Sequence, residues 1–441
     1  MGQSQRWRPT FESEGEDRMM KQIIKALKAN PAVTDWLISE VSTLSHQAFY
    51  VMQKLETTRL VETTEYAVTV YHRFSENDVE YLGSSSFQVS HKLNKKALDA
   101  LISEAVFAAS FIKNKNFDIV TGIKKKSWSE SAYGLEPFAL IDQIASLFIA
   151  ASKPSIKFNS MELFHTKTTQ RIVNSKAVDL KKTLYKVNVE AIPSYDGLDQ
   201  KVELYKYYTY KTIDFDLIKN DAVEALADVT TRYQAKAIQK VKKIDVILKD
   251  HDVADFFGNL IEDYSYAGIY RQDTDKKIGD MIQHDVKGEL LTLSFVPSSK
   301  ADAFDRDGVV LKPVKVIDHG TIANYYGANQ FAHYLEMRPS GIMDTLEVQK
   351  GRTAYATMSK KPHLQIIALS GIQIDMYSGY IGGEVRLAVY FDGKESHPVS
   401  GFSFSGNIDK SLSHLKMSKE LTKIASYQGP KYLKLKDMEI L

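Results

Sequence analysis

The chain has no cysteine among its 441 residues. That excludes disulfides, thiolate nucleophiles and every zinc site that needs sulfur, and it fits a reducing compartment. It also lacks an excess of either charge, with 57 Lys and Arg against 55 Asp and Glu and a net charge of +2. No basic footprint for nucleic acid results, and the run Lys124-Lys125-Lys126 is read as a solvated loop. Long apolar runs are missing as well. The longest, Leu140 to Ala151, is interrupted by Asp142, Gln143 and Ser146, which suits a buried helix and not a membrane span. No N-terminal apolar stretch with a cleavage site is present. The expected location is the cytoplasm, with no membrane and no nucleic-acid partner.

Familiar catalytic signatures are absent too. No Walker-type loop, no Gly-x-Gly-x-x-Gly after a strand and no Gly-x-Ser-x-Gly elbow occurs. The eleven histidines are scattered, with His319 and His333 the closest pair, so none sits one helical turn from another. Asp305 and Asp307 precede Gly308 and read as a turn.

Tyr (24) and Phe (20) are plentiful, as suits a β-rich core. The length predicts two domains or one large composite domain. Residues 1–18 are polar and aperiodic and are read as a disordered terminus. An N-terminal α+β domain is expected over 19–215, opening with an amphipathic helix from Met19 to Ala29. Alternating or β-branched runs over 36–54, 60–74 and 79–89 then predict an antiparallel meander. Asn94 is placed to cap a helix over 95–114, with Leu98, Leu101, Ile102, Ala105, Ala109 and Ile112 inward. Further strands follow between 162 and 211, with Asn174-Ser175 as a hairpin turn.

From 216 to 441 a β-rich, barrel-like domain is expected. It opens on a helix over 216–240 with Leu217, Val223, Leu226 and Ile238 among its apolar positions, then a buried strand over 244–248. The fold class is α+β, with antiparallel sheets and segregated helices. The stretch after that strand organises the reading. Val253, Phe256, Phe257, Leu260, Ile261 and Tyr264 form one apolar stripe at the 3.6-residue period, predicting a helix over 253–267. Asp255, Asn259, Glu262 and Tyr266 lie off the stripe. Such a helix can close a core or hold chemistry on its polar side.

A run of short motifs follows in fixed order: Asp305-Arg306-Asp307-Gly308-Val309, Asp318-His319-Gly320-Thr321, Ser370-Gly371 through Asp375, Asp392-Gly393, and Ser405-Gly406-Asn407. Upstream stands Asn174-Ser175, with Ala177 where the pattern has glycine. In this order and spacing the chain resembles the TldD/PmbA family, the so-called modulators of DNA gyrase, whose members are linked to metalloproteolysis and peptide maturation. The resemblance implies that catalytic members carry His-Glu-x-x-x-His on the helix after the buried strand, plus a Cys as third zinc ligand, and pair with a non-catalytic partner. Here Glu262 takes the motif's Glu, which puts Ile261 and Tyr266 at the two His positions. Ile has no lone pair, and a phenol is a poor ligand at neutral pH. The third ligand is missing with the cysteines.

The resemblance therefore implies the PmbA-like, TldE-like non-catalytic branch: a chain inactive alone, without a cofactor, pairing as a heterodimer with a zinc-bearing TldD-like homologue or as a homodimer. Glu262, Tyr266 and Asn259 would face a cleft for unfolded peptide. Two other readings stand beside it. One is a self-sufficient metallopeptidase in which His284, His319 and His333 converge with Glu262 or Asp305. The other is a homo-oligomeric peptide-binding protein without enzyme activity.

Overall fold

A computed structural model describes residues 12–441, apart from 91, 92, 124 and 240. Helix α1 (Glu12–Ala29) begins seven residues before the expected start, inside the stretch read as disordered; residues 1–11 lie outside the described residues. Two long strands, β1 (Asp35–Val51) and β2 (Lys54–Glu76), form a hairpin that continues into β3 (Val79–Val89). Helix α2 (Lys95–Ala109) follows, capped by the Asn94 side chain on Ala97 N. It stops five residues short of expectation and leaves Ile112 exposed. After β4 (Lys126–Ser129) comes α3 (Pro137–Ala151). Strand β5 (Ile156–Asn174) is one continuous strand, and β6 (Asp179–Asp196), β7 (Lys201–Glu203) and β8 (Lys206–Tyr210) complete an eight-stranded sheet.

The β5–β6 turn is tied from both sides. Asn174 Oδ1 accepts from the amides of Lys176 and Val178, and Asn174 Nδ2 donates to Val120 O at 2.7 Å. Ser175 Oγ donates to Asp35 Oδ1 at 2.6 Å. Ala177 sits at φ +66°, a left-handed conformation that costs a residue with a Cβ about 1 kcal/mol.

Helix α4 (Phe215–Gln234) packs on the first sheet. Its buried residues are Ile218, Ala222, Ala225, Leu226, Asp228 and Val229, while Leu217 and Val223 are exposed. Ile218, Ala222, Ala225 and Leu226 share a core with α3, β5 and β6. The helix expected to open the second domain thus covers the first. It also ends six residues early.

The chain next forms β9 (Lys236–Ala237), β10 (Lys243–Lys249), α5 (His251–Ile261) and α6 (Tyr266–Arg271). Then come β11 (Leu293–Val296), β12 (Val314–Asp318), β13 (Thr321–Ile322), α7 (Asn329–Tyr334), β14 (Thr345–Val348), α8 (Tyr355–Met358), β15 (His363–Asp375), β16 (Tyr380–Phe391), β17 (Ser396–Ser400), β18 (Phe402–Asn407), α9 (Ile408–Ser413), β19 (Lys416–Met417), β20 (Leu421–Ile424), β21 (Tyr427–Pro430) and β22 (Tyr432–Ile440). Strands β10, β22, β18, β16 and β15 pair in a ring, because β15 bonds to both β16 and β10. This is the barrel of the C-terminal half; only the short β10–β15 pairing in the ring is parallel. A second, six-stranded sheet runs β13-β12-β11-β14-β21-β20.

Helix α5 lies between the two. Val253, Phe256, Phe257, Leu260 and Ile261 share one core with Val246, Leu364, Ile366, Val385 and Leu433 of the barrel and Leu293, Phe295, Leu346 and Val348 of the second sheet. The halves meet where the loop before β12 lies on the first sheet: Ala303 and Phe304 pack with Leu37, Ile172, Val178 and Leu180. Lys182 Nζ reaches Asp302 at 2.7 Å and Phe304 O at 2.6 Å. Gly308, at φ +86°, comes so close that a Cβ would stand 3.1 Å from Val178 Cγ1.

Two outcomes are expected. Ala177→Gly relieves the left-handed strain and raises stability by up to about 1 kcal/mol, read from the urea midpoint. The second concerns His46 and His165, which stand opposite each other on β1 and β5 with both Nδ1 atoms buried and unpartnered. Burial lowers both below the usual value of 6.5. As pH falls below about 6.5, the unfolded chain takes up protons first, so stability declines in that window and is insensitive to this pair above it. Urea midpoints at pH 7.5 and 5.5 should differ less in His46→Gln/His165→Gln than in the parent protein.

Candidate functional site

The site is built on the turn from β10 into α5. Ile244, Val246, Ile247 and Leu248 are buried, which fixes the strand in the barrel wall. Asp250 then takes φ +47°, ψ −106°, a conformation few L-residues adopt, at a cost of about 1–3 kcal/mol. Its amide donates to Lys431 O at 2.9 Å, and its carbonyl accepts from Val253 N and Ala254 N, opening the helix. The strain reverses the chain within one residue.

The helix is shorter than its stripe suggested. It ends at Ile261; Glu262–Tyr264 form a 3₁₀ turn, and Ser265 restarts the chain in extended geometry, its hydroxyl accepting from Gly268 N. Tyr266 N donates to Tyr326 O at 2.7 Å. Tyr266 therefore does not lie on the polar side of one helix running to 267, as expected. It is 3 % exposed, its hydroxyl donates to Arg338 O at 2.9 Å, and burial pushes its phenol upward. Ile261 is wholly buried. Asn259 Nδ2 bonds to Asp255 O and to Ile372 O, tying α5 to β15. Of the four residues singled out, only Glu262 is exposed. Neither Ile261 nor Tyr266 fits a zinc site: one has no donor atom, and the other's hydroxyl is already committed in the core.

The histidines do not converge either. His319 (φ +48°) and Gly320 (φ +79°) are the two central residues of the tight β12–β13 hairpin, and His319 is bonded to its neighbour Asp318. His284 and His333 are exposed. Asp305 accepts from the amides of Asp307, Val309 and Ile342, so it braces a turn. Among the described residues no group of three or more His, Asp or Glu is placed to hold one metal ion.

A cleft of about 440 Å³ opens at the other end of α5, on the seam between the halves. Its walls are β8 and α4 on one side, and Lys249–Asp252, Tyr355, β15, β20 and Tyr432 on the other. Neither Asn259, Glu262 nor Tyr266 lines it. Lys249 is bonded to Glu224 across the seam. Lys206 pairs with Asp228 at 2.6 Å, and Tyr210 OH donates to Asp221 at 2.9 Å. Burial lifts the Asp221 carboxyl to about 6. It lifts that of Asp252 to about 7, with the Asp255 charge adding to the effect. The sequence reading missed this cleft because its walls come from four distant segments. The aromatic run Tyr205-Lys206-Tyr207-Tyr208-Thr209-Tyr210 was its one local signal.

The C-terminal half thus combines two sheets, one of them a barrel, with a strained strand-to-helix turn and a buried helix. Residues 241–441 match the model of the PmbA/TldA metallopeptidase C-terminal domain. Over that C-terminal part the chain is similar to the PmbA/TldD family. No curated protein sequence matches the chain. Solved structures do. TldE from Thermococcus kodakarensis is 13 % identical with a TM-score of 0.73, covering 97 % of this chain and 99 % of its own. A protein of Thermotoga maritima described as a candidate modulator of a DNA gyrase is 14 % identical with a TM-score of 0.71, covering 98 % and 100 %. One of Bacteroides thetaiotaomicron, described likewise, is 15 % identical with a TM-score of 0.75, covering 98 % and 99 %. At such identities the likeness is one of fold.

The burial pattern predicts opposite outcomes at adjacent positions. Ile261→Ala should cost about 2–5 kcal/mol, whereas Glu262→Gln should change stability by less than about 0.5 kcal/mol, both read from urea unfolding.

Proposed function

We propose that this protein is the non-catalytic subunit of a TldD/PmbA-type metallopeptidase complex. One observation carries the reading: the position that the family's motif gives to its first zinc-binding imidazole is held here by Ile261, wholly buried between two sheets. Tyr266 at the second imidazole position and the missing cysteine point the same way. Without a metal, the exposed Glu262 has no activated water to deprotonate. The chain's part is then to help bind an unfolded peptide, in the cytoplasm, for cleavage or maturation by a zinc-bearing homologue. Its own residues supply shape, main-chain partners and exclusion of water; the partner supplies the hydrolytic centre.

Co-purification tests this. Mixed with a homologue that has intact His-Glu-x-x-x-His and its Cys, the protein should co-elute in size-exclusion chromatography and raise the partner's cleavage of an unfolded peptide. Glu262→Gln should leave that cleavage unchanged. No complex and no change in cleavage would remove the proposal. Stoichiometric zinc with peptidase activity in this chain alone would favour the self-sufficient reading.

A further inference from the structure

The cleft on the seam has two open sheet edges. Strand β8 is bonded to β6 on one side only; among the described residues no backbone group of Lys206–Tyr210 bonds to main chain on the other, though the Tyr210 carbonyl accepts from the Tyr133 hydroxyl. Strand β20 is likewise the last strand of the second sheet, paired with β21 alone, and among the described residues Leu421–Ile424 make no further backbone–backbone bonds. Residues of both strands line the same cleft. A smaller hollow continues it along the same two edges, lined by Thr209–Thr212 on one side and Lys423–Ala425 on the other. Edge strands normally have their unpaired N–H and C=O groups covered or blunted by bulges, prolines or inward charges. Neither β8 nor β20 contains a proline or a bulge. Both line the cleft of about 440 Å³ instead.

The charges in that space are unequal. Three cleft lysines are engaged: Lys206 by Asp228, Lys249 by Glu224 and Asp250, and Lys431 by Asp250. Among the described residues two carboxylates form no ion pair, although Lys431 acts on Asp221, and Lys206 and Lys249 act on Asp252, from further off. The Asp221 carboxyl accepts from the Tyr210 hydroxyl and, among the described residues, from no other group. Asp252 has no hydrogen bond or ion pair among the described residues, although burial and the neighbouring Asp255 disfavour its charge. Lys423 and His251 also line the cleft and are exposed at its rim. An incoming cation would restore the ionised form of a buried carboxylate and bond to it, a charge-assisted contact stronger than a neutral one.

We infer that the groove between the β8 and β20 edges takes an extended peptide segment bearing a lysine or arginine, its main chain paired with the strand edges and its cation placed at Asp252 and Asp221. The inference deepens the peptide-binding role proposed above and rests on it. It places that role at the N-terminal end of α5, away from Glu262. Strand addition gives main-chain affinity with little sequence demand, and the carboxylates add a preference at one side chain.

The test uses the whole chain and fluorescein-labelled, unstructured peptides of about ten residues, read by fluorescence polarisation at pH 8. The peptide with one central lysine should bind at least about tenfold more tightly than its norleucine counterpart, equal to about 1.4 kcal/mol. Asp252→Asn should close that gap while leaving the norleucine peptide's affinity unchanged. N-methylation of alternate peptide amides, which removes donors without touching the protein, should weaken the lysine peptide by a similar factor. Equal binding of lysine and norleucine peptides, a gap that survives Asp252→Asn, indifference to N-methylation, or no binding at all would each overturn the inference. The subunit role is read separately, from complex formation and partner cleavage, so it stands or falls on a different result.

Discussion

The C-terminal half depends on one buried surface, the apolar face of α5. Val253, Phe256, Phe257, Leu260 and Ile261 fill the space between barrel and second sheet, each fully buried. At about 1.5–3 kcal/mol per large apolar side chain, that face is among the largest local contributions to the fold. It also constrains chemistry. A position between two sheets cannot exchange an aliphatic side chain for an imidazole without desolvating a polar group. The helix buries this face along its whole length, with Asp255 exposed on its other side and further polar groups at its ends. One end carries Glu262; the other carries Asp250 and Asp252.

Much of this was legible in the sequence, and the limits have physical causes. The stripe from Val253 to Ile261 gave the helix and its buried face, since periodicity reports burial directly. Periodicity did not report where the helix stops. Ser265 caps a new turn, and Tyr266 leaves the helical register because its amide bonds to Tyr326, a partner sixty residues away. The strands of the first sheet and its Asn174 turn were readable from alternation and turn chemistry. The side on which α4 packs was not: Ile218, Ala222, Ala225 and Leu226 mark a buried face but do not say against what. The family resemblance fixed which positions to inspect, and the structure then showed Ile261 and Tyr266 inside the core and Glu262 outside it. The cleft could not be read at all, because it exists only where β8, α4, the Asp250 turn and β20 meet.

That meeting is the seam between the halves, which is held by varied contacts. Phe304 packs on the first sheet beneath Lys182, and Gly308 lets the backbone approach Val178. Lys249 and Glu224 join α4 to the strained turn. Helix α4 packs on the first sheet, and the family match begins beyond it, at residue 241. A helix that belongs to one half and an ion pair that reaches the other make the cleft a property of the assembled chain. Neither half has it alone.

The ring of the barrel has a consequence for how the protein is made. Strand β22, residues 432–440, lies between β10 and β18, and β10 leads directly into α5. During synthesis, the wall that receives β10 stays incomplete until nearly two hundred further residues have left the ribosome. Sequence-distant pairing of this kind is slow and leaves apolar surface uncovered while the chain waits. The α5 face is that surface. The first sheet, whose strands and helices are nearly consecutive in sequence, can fold meanwhile and offer α4 as a finished wall.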